Sequence, residues 1–241
     1  MRSIRGSPTP VVRAIVEPLS RRNNLDRCPT CSMHETLCIC ALVPRLATRT
    51  RLELIVHTRE ERKPTNTGQL ATRCLERSHL AIMGDRERPL ELAPVTADEQ
   101  AVVLYPADDA VPITRFAASE RPIVLIVPDG TWRQASKMRK RIPGLAALPC
   151  VTLPDTGPTT YRLRAEVHDG GLATFEAIAR ALCILEGDAG PPIEAAMLAV
   201  FRVMVERTLW LRGALADHEV TGGIPAAAIE RNPRSTRATR S

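Results

Sequence analysis

Two sets of residues in this chain have the types and spacing that chemistry needs, and they lie far apart. The first is Cys28, Cys31, Cys38 and Cys40. A C-x2-C pair followed by a C-x-C pair can close a four-thiolate site around a tetrahedral ion such as zinc, leaving no position for substrate, so the site would be structural. His34 is either a substitute ligand or an ordinary loop histidine, and the one-residue gap between Cys38 and Cys40 keeps an iron–sulfur cluster open beside zinc. The second set is Pro128-Asp129-Gly130-Thr131-Trp132, directly after the apolar run 123–127. An acid after a buried strand stands where open parallel sheets expose their ligand crevice, which makes Asp129 available as a general base. Gly130 permits close backbone approach, and Trp132 can wall a pocket for a planar base or adenine. The alternative is an aspartate helix cap with a buried tryptophan.

Three more segments carry candidate groups. His57, Lys63, Asn66 and Thr67 lie in a polar stretch that runs into a helix at Gly68. It has donors enough to hold an anion, or is a surface loop in which Thr67 caps the helix. Neither GxxxxGK[ST] nor GxGxxG occurs, so ATP and NAD are poor candidates. After Trp132 a helix carries Arg133, Lys137, Arg139, Lys140 and Arg141, a face able to meet RNA phosphate or simply to be solvated. A long loop holds Thr159, Thr160, Arg162 and Arg164 before a helix with Thr174 and Glu176 at its start. Loops of that length in compact domains tend to be functional.

The elements that position these groups follow from the apolar pattern. Strands are expected over 52–57, 80–83, 102–105, 123–127 and 150–153, with helices over 68–77 and 133–141 between them. This alternation predicts an α/β fold, a mostly parallel sheet flanked by helices. Thr174 reads as the N-cap of a helix that ends at Gly187, and Pro191-Pro192 opens a last helix to about Leu215 with Ile193, Met197, Val200, Phe201, Met204, Leu211 and Leu215 inward. The expected organisation is a basic flexible tail over 1–26, a cysteine module over 27–45, a catalytic domain over 46–218 and a second basic tail over 219–241.

With 241 residues and 44% hydrophobic content the chain can bury an ordinary core. No apolar run approaches a bilayer span and the first residues lack a signal-peptide pattern, so a cytoplasmic protein without membrane contact is expected. Seven cysteines, four at metal spacing, favour ligation and buried thiols over a disulfide framework. The formal charge of +6 fits a polyanion partner, while 3% aromatic residues argue against a base-stacking platform. Monomer and homodimer are both left open.

Taken in order, the four-cysteine cluster, the loop from His57 to Gly68, Asp129-Gly130-Thr131-Trp132 with its basic continuation, Tyr161-Arg162-Leu163-Arg164 and the run from Leu172 to Ala179 resemble the DTW-domain tRNA-uridine aminocarboxypropyltransferases over about residues 26–215. The family's usual serine ahead of Tyr161 is here a threonine, Thr159 or Thr160. The resemblance implies a SPOUT-like fold with a C-terminal knot. It also implies S-adenosylmethionine as donor and transfer of its 3-amino-3-carboxypropyl group to N3 of a tRNA uridine, at variable-loop position 47 in bacterial relatives. On that reading Asp129 is the base. Thr131, Trp132, Thr160, Arg162, Arg164, Thr174 and Glu176 serve the donor. His57, Lys63, Asn66, Thr67, Arg133, Lys137, Arg139 and Lys140 serve the tRNA. An RNA methyltransferase on the same fold, or a noncatalytic zinc RNA-binding protein, are the competing readings.

Overall fold

The computed structural model describes residues 26–63, 66–154, 159, 161, 163 and 172–231. Its centre is a six-stranded sheet of β1 (Arg51–His57), β2 (Ser78–Met83), β3 (Gln100–Leu104), β4 (Val111–Pro112), β5 (Ile123–Asp129) and β6 (Cys150–Thr152). The strands lie in the order β2-β1-β5-β3-β6-β4 and every pairing is parallel. All seven residues of β5 are buried, as a strand covered on both faces requires, and this is why its sequence is a continuous apolar run rather than an alternating one. The two-residue β4 was not foreseen; its Pro112, which has no N–H to give, sits in an edge strand.

Among the described residues the α-helices are α1 (Thr58–Glu61), α2 (Gly68–Cys74), α3 (Trp132–Arg141), α4 (Thr174–Leu185), α5 (Gly190–Leu211) and α6 (Ala226–Arg231). On one face of the sheet, Leu52, Leu54 and Val56 of β1 and Leu125 and Val127 of β5 pack with α2, α4 and α5. Phe175 of α4 stacks on Phe201 of α5 with ring centres 4.8 Å apart, and Tyr161 stacks on Phe201 at 5.7 Å. Met33, Leu37 and Ile39 of the cysteine module are buried in this same core. On the other face, Ile55, Val103, Val124 and Ile126 pack with Met138 of α3.

Several boundaries differ from the pattern. Helix α2 stops at Cys74, three residues early, because Leu75 turns extended and bridges Leu46. Ala173 occupies the N-cap position of α4, and Thr174 is its first helical residue. Helix α5 ends at Leu211, which is 41% exposed rather than inward, while Leu215 lies half-buried beyond the helix. The C-terminal tail expected from 219 gives way to packed structure up to residue 231, where α6 forms and Val220 and Ala228 are buried. The expected N-terminal tail, apart from Asp26, lies outside the described residues. No described helix is long and apolar enough to cross a membrane.

The amino ends of the strands hold a polar cluster that pattern reading missed. Glu53 of β1 lies opposite His79 of β2 and accepts from its Nδ1 at 2.7 Å. Arg51 donates to Glu53 at 3.3 Å and to both oxygens of Glu99, at 3.0 and 3.2 Å.

Candidate active site and metal centre

The connection after β1 leads outward to β2, whereas the one after β5 leads the opposite way, through α3 to β6. Neighbouring strands whose connections diverge leave a crevice at their carboxyl ends. Val56 of β1 is in register with Asp129 of β5, so His57 and the Asp129-Gly130 turn flank this switch point.

Asp129 is 6% exposed and held from two sides. Thr174 Oγ1 donates to its Oδ1 at 2.6 Å, and Asn66 Nδ2 donates to its Oδ2 at 2.6 Å. Asn66 also accepts from Gln69 N through Oδ1 at 3.3 Å, which ties the carboxylate to the first turn of α2. Thr67, at the N-cap position, is buried and accepts from Phe175 N at 3.4 Å instead of capping α2 through its side chain. Three loops distant in sequence thus converge on one acid. Asn66 and Thr67, expected to serve the tRNA, and Thr174, expected to serve the donor, each hold a hydrogen bond to a protein neighbour.

Thr131 caps α3, accepting from Gln134 N at 3.3 Å, while Gln134 Oε1 accepts from Thr131 N at 2.7 Å. This capping box fixes the turn that carries Asp129. A Cβ on Gly130 would stand 2.8 Å from Gln134 Oε1, so the box needs glycine there. Trp132 is 50% exposed, which removes the buried-tryptophan alternative, and meets Tyr105 edge to face at 6.2 Å. Arg133, Lys137, Lys140 and Arg141 are exposed on α3. Arg139 is not part of that free face: it is half-buried and paired with Asp109 at 3.3 Å.

At the end of β1, His57 caps α1 by accepting from Arg59 N through Nδ1 at 3.2 Å. Burial lowers its pKa below the ordinary 6.5, helped by the charges of Arg59, Lys137 and Lys63 and opposed by Glu60. Lys137 of α3 and Lys63 of the β1 loop thus both lie close enough for their charges to act on the His57 ring. Lys63 pairs with the buried Glu60 at 2.6 Å. Glu176, read as a donor-binding residue, is 1% exposed; its Oε2 accepts from Ala173 N at 3.1 Å and from Thr159 Oγ1, which itself accepts from Tyr161 N at 3.0 Å. It therefore ties Thr159 to the start of α4. Thr160, Arg162 and Arg164 lie outside the described residues.

The four cysteine sulfurs lie within 4.8 Å of one another. Cys28 and Cys40 are 3.6 Å apart and Cys31 and Cys38 3.7 Å, far beyond a disulfide bond. Four sulfurs about 2.3 Å from one zinc ion would be about 3.8 Å from each other, so the donor set fits a single tetrahedral ion. The backbone N–H of Cys31 donates to Cys28 and holds its thiol down to about 6, against the opposing effect of burial. His34 is turned away: its Nδ1 pairs with Thr36 Oγ1 at 2.8 Å.

Fold and site together define a parallel α/β protein with a fixed carboxylate at its switch-point crevice and a four-thiol module packed into its core. The sequence matches the DTW domain over residues 25–209, and the chain belongs to that family. It is 28% identical over 177 residues to tRNA-uridine aminocarboxypropyltransferase 2 of Drosophila melanogaster, covering 70% of this chain and 69% of that one. Identity is 32% over 178 residues to the Mus musculus protein of the same name, covering 70% and 59%, so the chain spans less than two thirds of that relative's length. It is 30% over 217 residues to tRNA-uridine aminocarboxypropyltransferase A of Arabidopsis thaliana, covering 74% and 79%. Among solved structures, the SAM-dependent rRNA:acp-transferase Tsr3 from Vulcanisaeta distributa aligns with a TM-score of 0.39 at 15% identity, over 80% of this chain and 93% of that one.

Proposed function

We propose that the protein is a tRNA-uridine aminocarboxypropyltransferase. It moves the 3-amino-3-carboxypropyl group of S-adenosylmethionine to N3 of a tRNA uridine, at variable-loop position 47, and releases 5′-methylthioadenosine. The observation that carries this reading is Asp129, buried at the switch point of a DTW-family chain and oriented by Asn66 and Thr174.

In the reaction a bond forms between N3 and the γ-carbon of the methionine moiety while the γ-carbon–sulfur bond breaks, its electron pair neutralising the sulfonium. Three carbons on that sulfur are activated, so selection rests on alignment of N3 with one of them. Asp129 takes the N3 proton, its two oxygens oriented by Thr174 Oγ1 and Asn66 Nδ2. Trp132 offers its exposed face to the reacting base or the adenine. Arg133, Lys137 and Lys140 of α3, with Lys63 and His57 across the crevice, meet tRNA phosphates. Arg162 and Arg164 are assigned to the donor carboxylate, and Thr160 to the same loop. The SPOUT relation and the C-terminal knot belong to this proposal as well.

Cys28, Cys31, Cys38 and Cys40 are assigned to one structural zinc ion, held in a reducing cytoplasm that keeps thiols available. When bound, zinc supplies a four-way cross-link to a module otherwise held by Met33, Leu37 and Ile39. The test is mass analysis of nucleosides from uridine-bearing tRNA incubated with the protein and S-adenosylmethionine. Aminocarboxypropyl-uridine with methylthioadenosine is the expected pair. A methylated base with S-adenosylhomocysteine would replace this reading by a methyltransferase, and tRNA binding without turnover would replace it by a binding protein.

A further inference from the structure

Arg207, near the carboxyl end of α5, is 7% exposed. Its Nη1 donates to Leu37 O at 3.3 Å and to Cys38 O at 2.9 Å, in the turn that presents the third cysteine. Its Nε is buried without a hydrogen-bond partner. Among the described residues no acid forms an ion pair with it. A guanidinium stays charged in proteins, and a buried charge facing only carbonyl dipoles is costly to keep.

The four-thiol module next to it changes charge when it is loaded. Four thiolates around one divalent ion leave the centre with two net negative charges, more than the same cysteines carry without metal. We propose that Arg207 is the counter-charge of the loaded tetrathiolate. Metal binding and the seating of α5 against the module are then one electrostatic event. The guanidinium stabilises the dianionic centre and is a liability without it. This rests on the zinc assignment above and assigns Arg207 a positioning role toward the centre, with no part in the transfer reaction. A merely structural Arg207 would instead act by donating to the two carbonyls, equally with and without metal.

Arg207→Gln separates the two roles, because an amide still donates to carbonyls but carries no charge. Arg207→Lys keeps the charge and loses the planar fork. Zinc release to a chromophoric chelator and thermal unfolding, each measured on full-length protein, are the readouts. Arg207→Gln should release zinc about 10- to 100-fold faster than wild type, the range found when partners around metal ligands are removed. Arg207→Lys should stay closer to wild type than Arg207→Gln. In zinc-loaded protein Arg207→Gln should lower the melting temperature, and in metal-free protein it should leave it unchanged or raise it. Equal release rates for wild type and Arg207→Gln overturn the proposal, as does an equal fall in melting temperature in both metal states. Wild-type protein that takes up no zinc overturns the zinc assignment itself, and this is seen before any variant is compared.

Discussion

Gly68 and Asp129 stand so close that a single methyl group on the glycine would lie 2.8 Å from Oδ2 of the carboxylate and 3.3 Å from Leu54 Cδ2. The first residue of α2 is therefore glycine because the acid occupies the space a side chain would need. Gly68→Ala must displace Asp129 or tilt α2, breaking the geometry set by Asn66 and Thr174. Misplacement by about 1 Å can cost on the order of 10²-fold in rate. Turnover in a single-turnover assay should fall by about that much while circular dichroism and the melting curve change little. A variant with wild-type turnover would show that the carboxylate's position does not matter to the reaction.

Asp129→Asn tests the acid itself. Loss of a positioned base typically costs about 10²–10⁴-fold. The variant should keep its fold and its affinity for S-adenosylmethionine, measured by calorimetry, and lose turnover in that range. Unchanged turnover would leave Asp129 as a tie between α2 and α4 only. Loss of donor affinity with normal turnover at saturation would make it a donor-binding residue.

The face of α3 is a separate matter. Each cation in contact with a tRNA phosphate contributes about one unit to the slope of log affinity against log salt. Arg133→Gln, Lys137→Gln and Lys140→Gln should each flatten that slope, measured by filter binding, and leave donor affinity alone. Arg139→Gln should leave the slope unchanged, because Arg139 is already paired with Asp109 and half-buried. An equal effect from all four would mean that the Asp109 pair opens when RNA binds, and no effect from any would move the docking surface elsewhere.

The parts of this fold that were legible in the sequence are those governed by local rules. The apolar run of β5, the acid at its end and the cysteine spacing all follow from periodicity and ligand chemistry, although β5 runs on through Pro128 and Asp129, two residues past the apolar run. The basic helix was legible too, but its members looked alike until Asp109, thirty residues away by sequence, separated Arg139 from the rest. Asn66 and Thr174 could be picked out as polar residues beside a helix start, yet their meeting at Asp129 spans separations of 63 and 45 residues. Periodicity carries no information at that range. Glu53 was overlooked for the same reason: a charge inside an apolar strand reads as noise until His79 appears opposite it on the neighbouring strand. Arg207 is the helical counterpart, a cation in an apolar stripe whose partners lie about 170 residues earlier in the chain.

The Arg51–Glu99 pair gives the stability a defined pH dependence. Hydrogen bonds from Arg51 hold the Glu99 carboxyl down at about 2, against the opposing effect of burial, where its ordinary value is 4.5. A folded pKa below the unfolded one means that the unfolded chain binds protons first as pH falls. The stabilisation is therefore complete above about pH 4.5 and is lost between there and about pH 2. His57 works in the same direction in a higher window, since its lowered pKa makes protonation favour the unfolded chain as pH drops below about 6.5. The two windows open at different pH values, about 6.5 for His57 and about 4.5 for Glu99, so melting temperatures measured from pH 8 to pH 2 can separate their onsets. Glu99→Gln should be less stable than wild type at neutral pH, and the difference should shrink only below about pH 4.5. A difference that stays constant down to pH 2 would show that Glu99 contributes by shape and neutral hydrogen bonding, not through its charge beside Arg51.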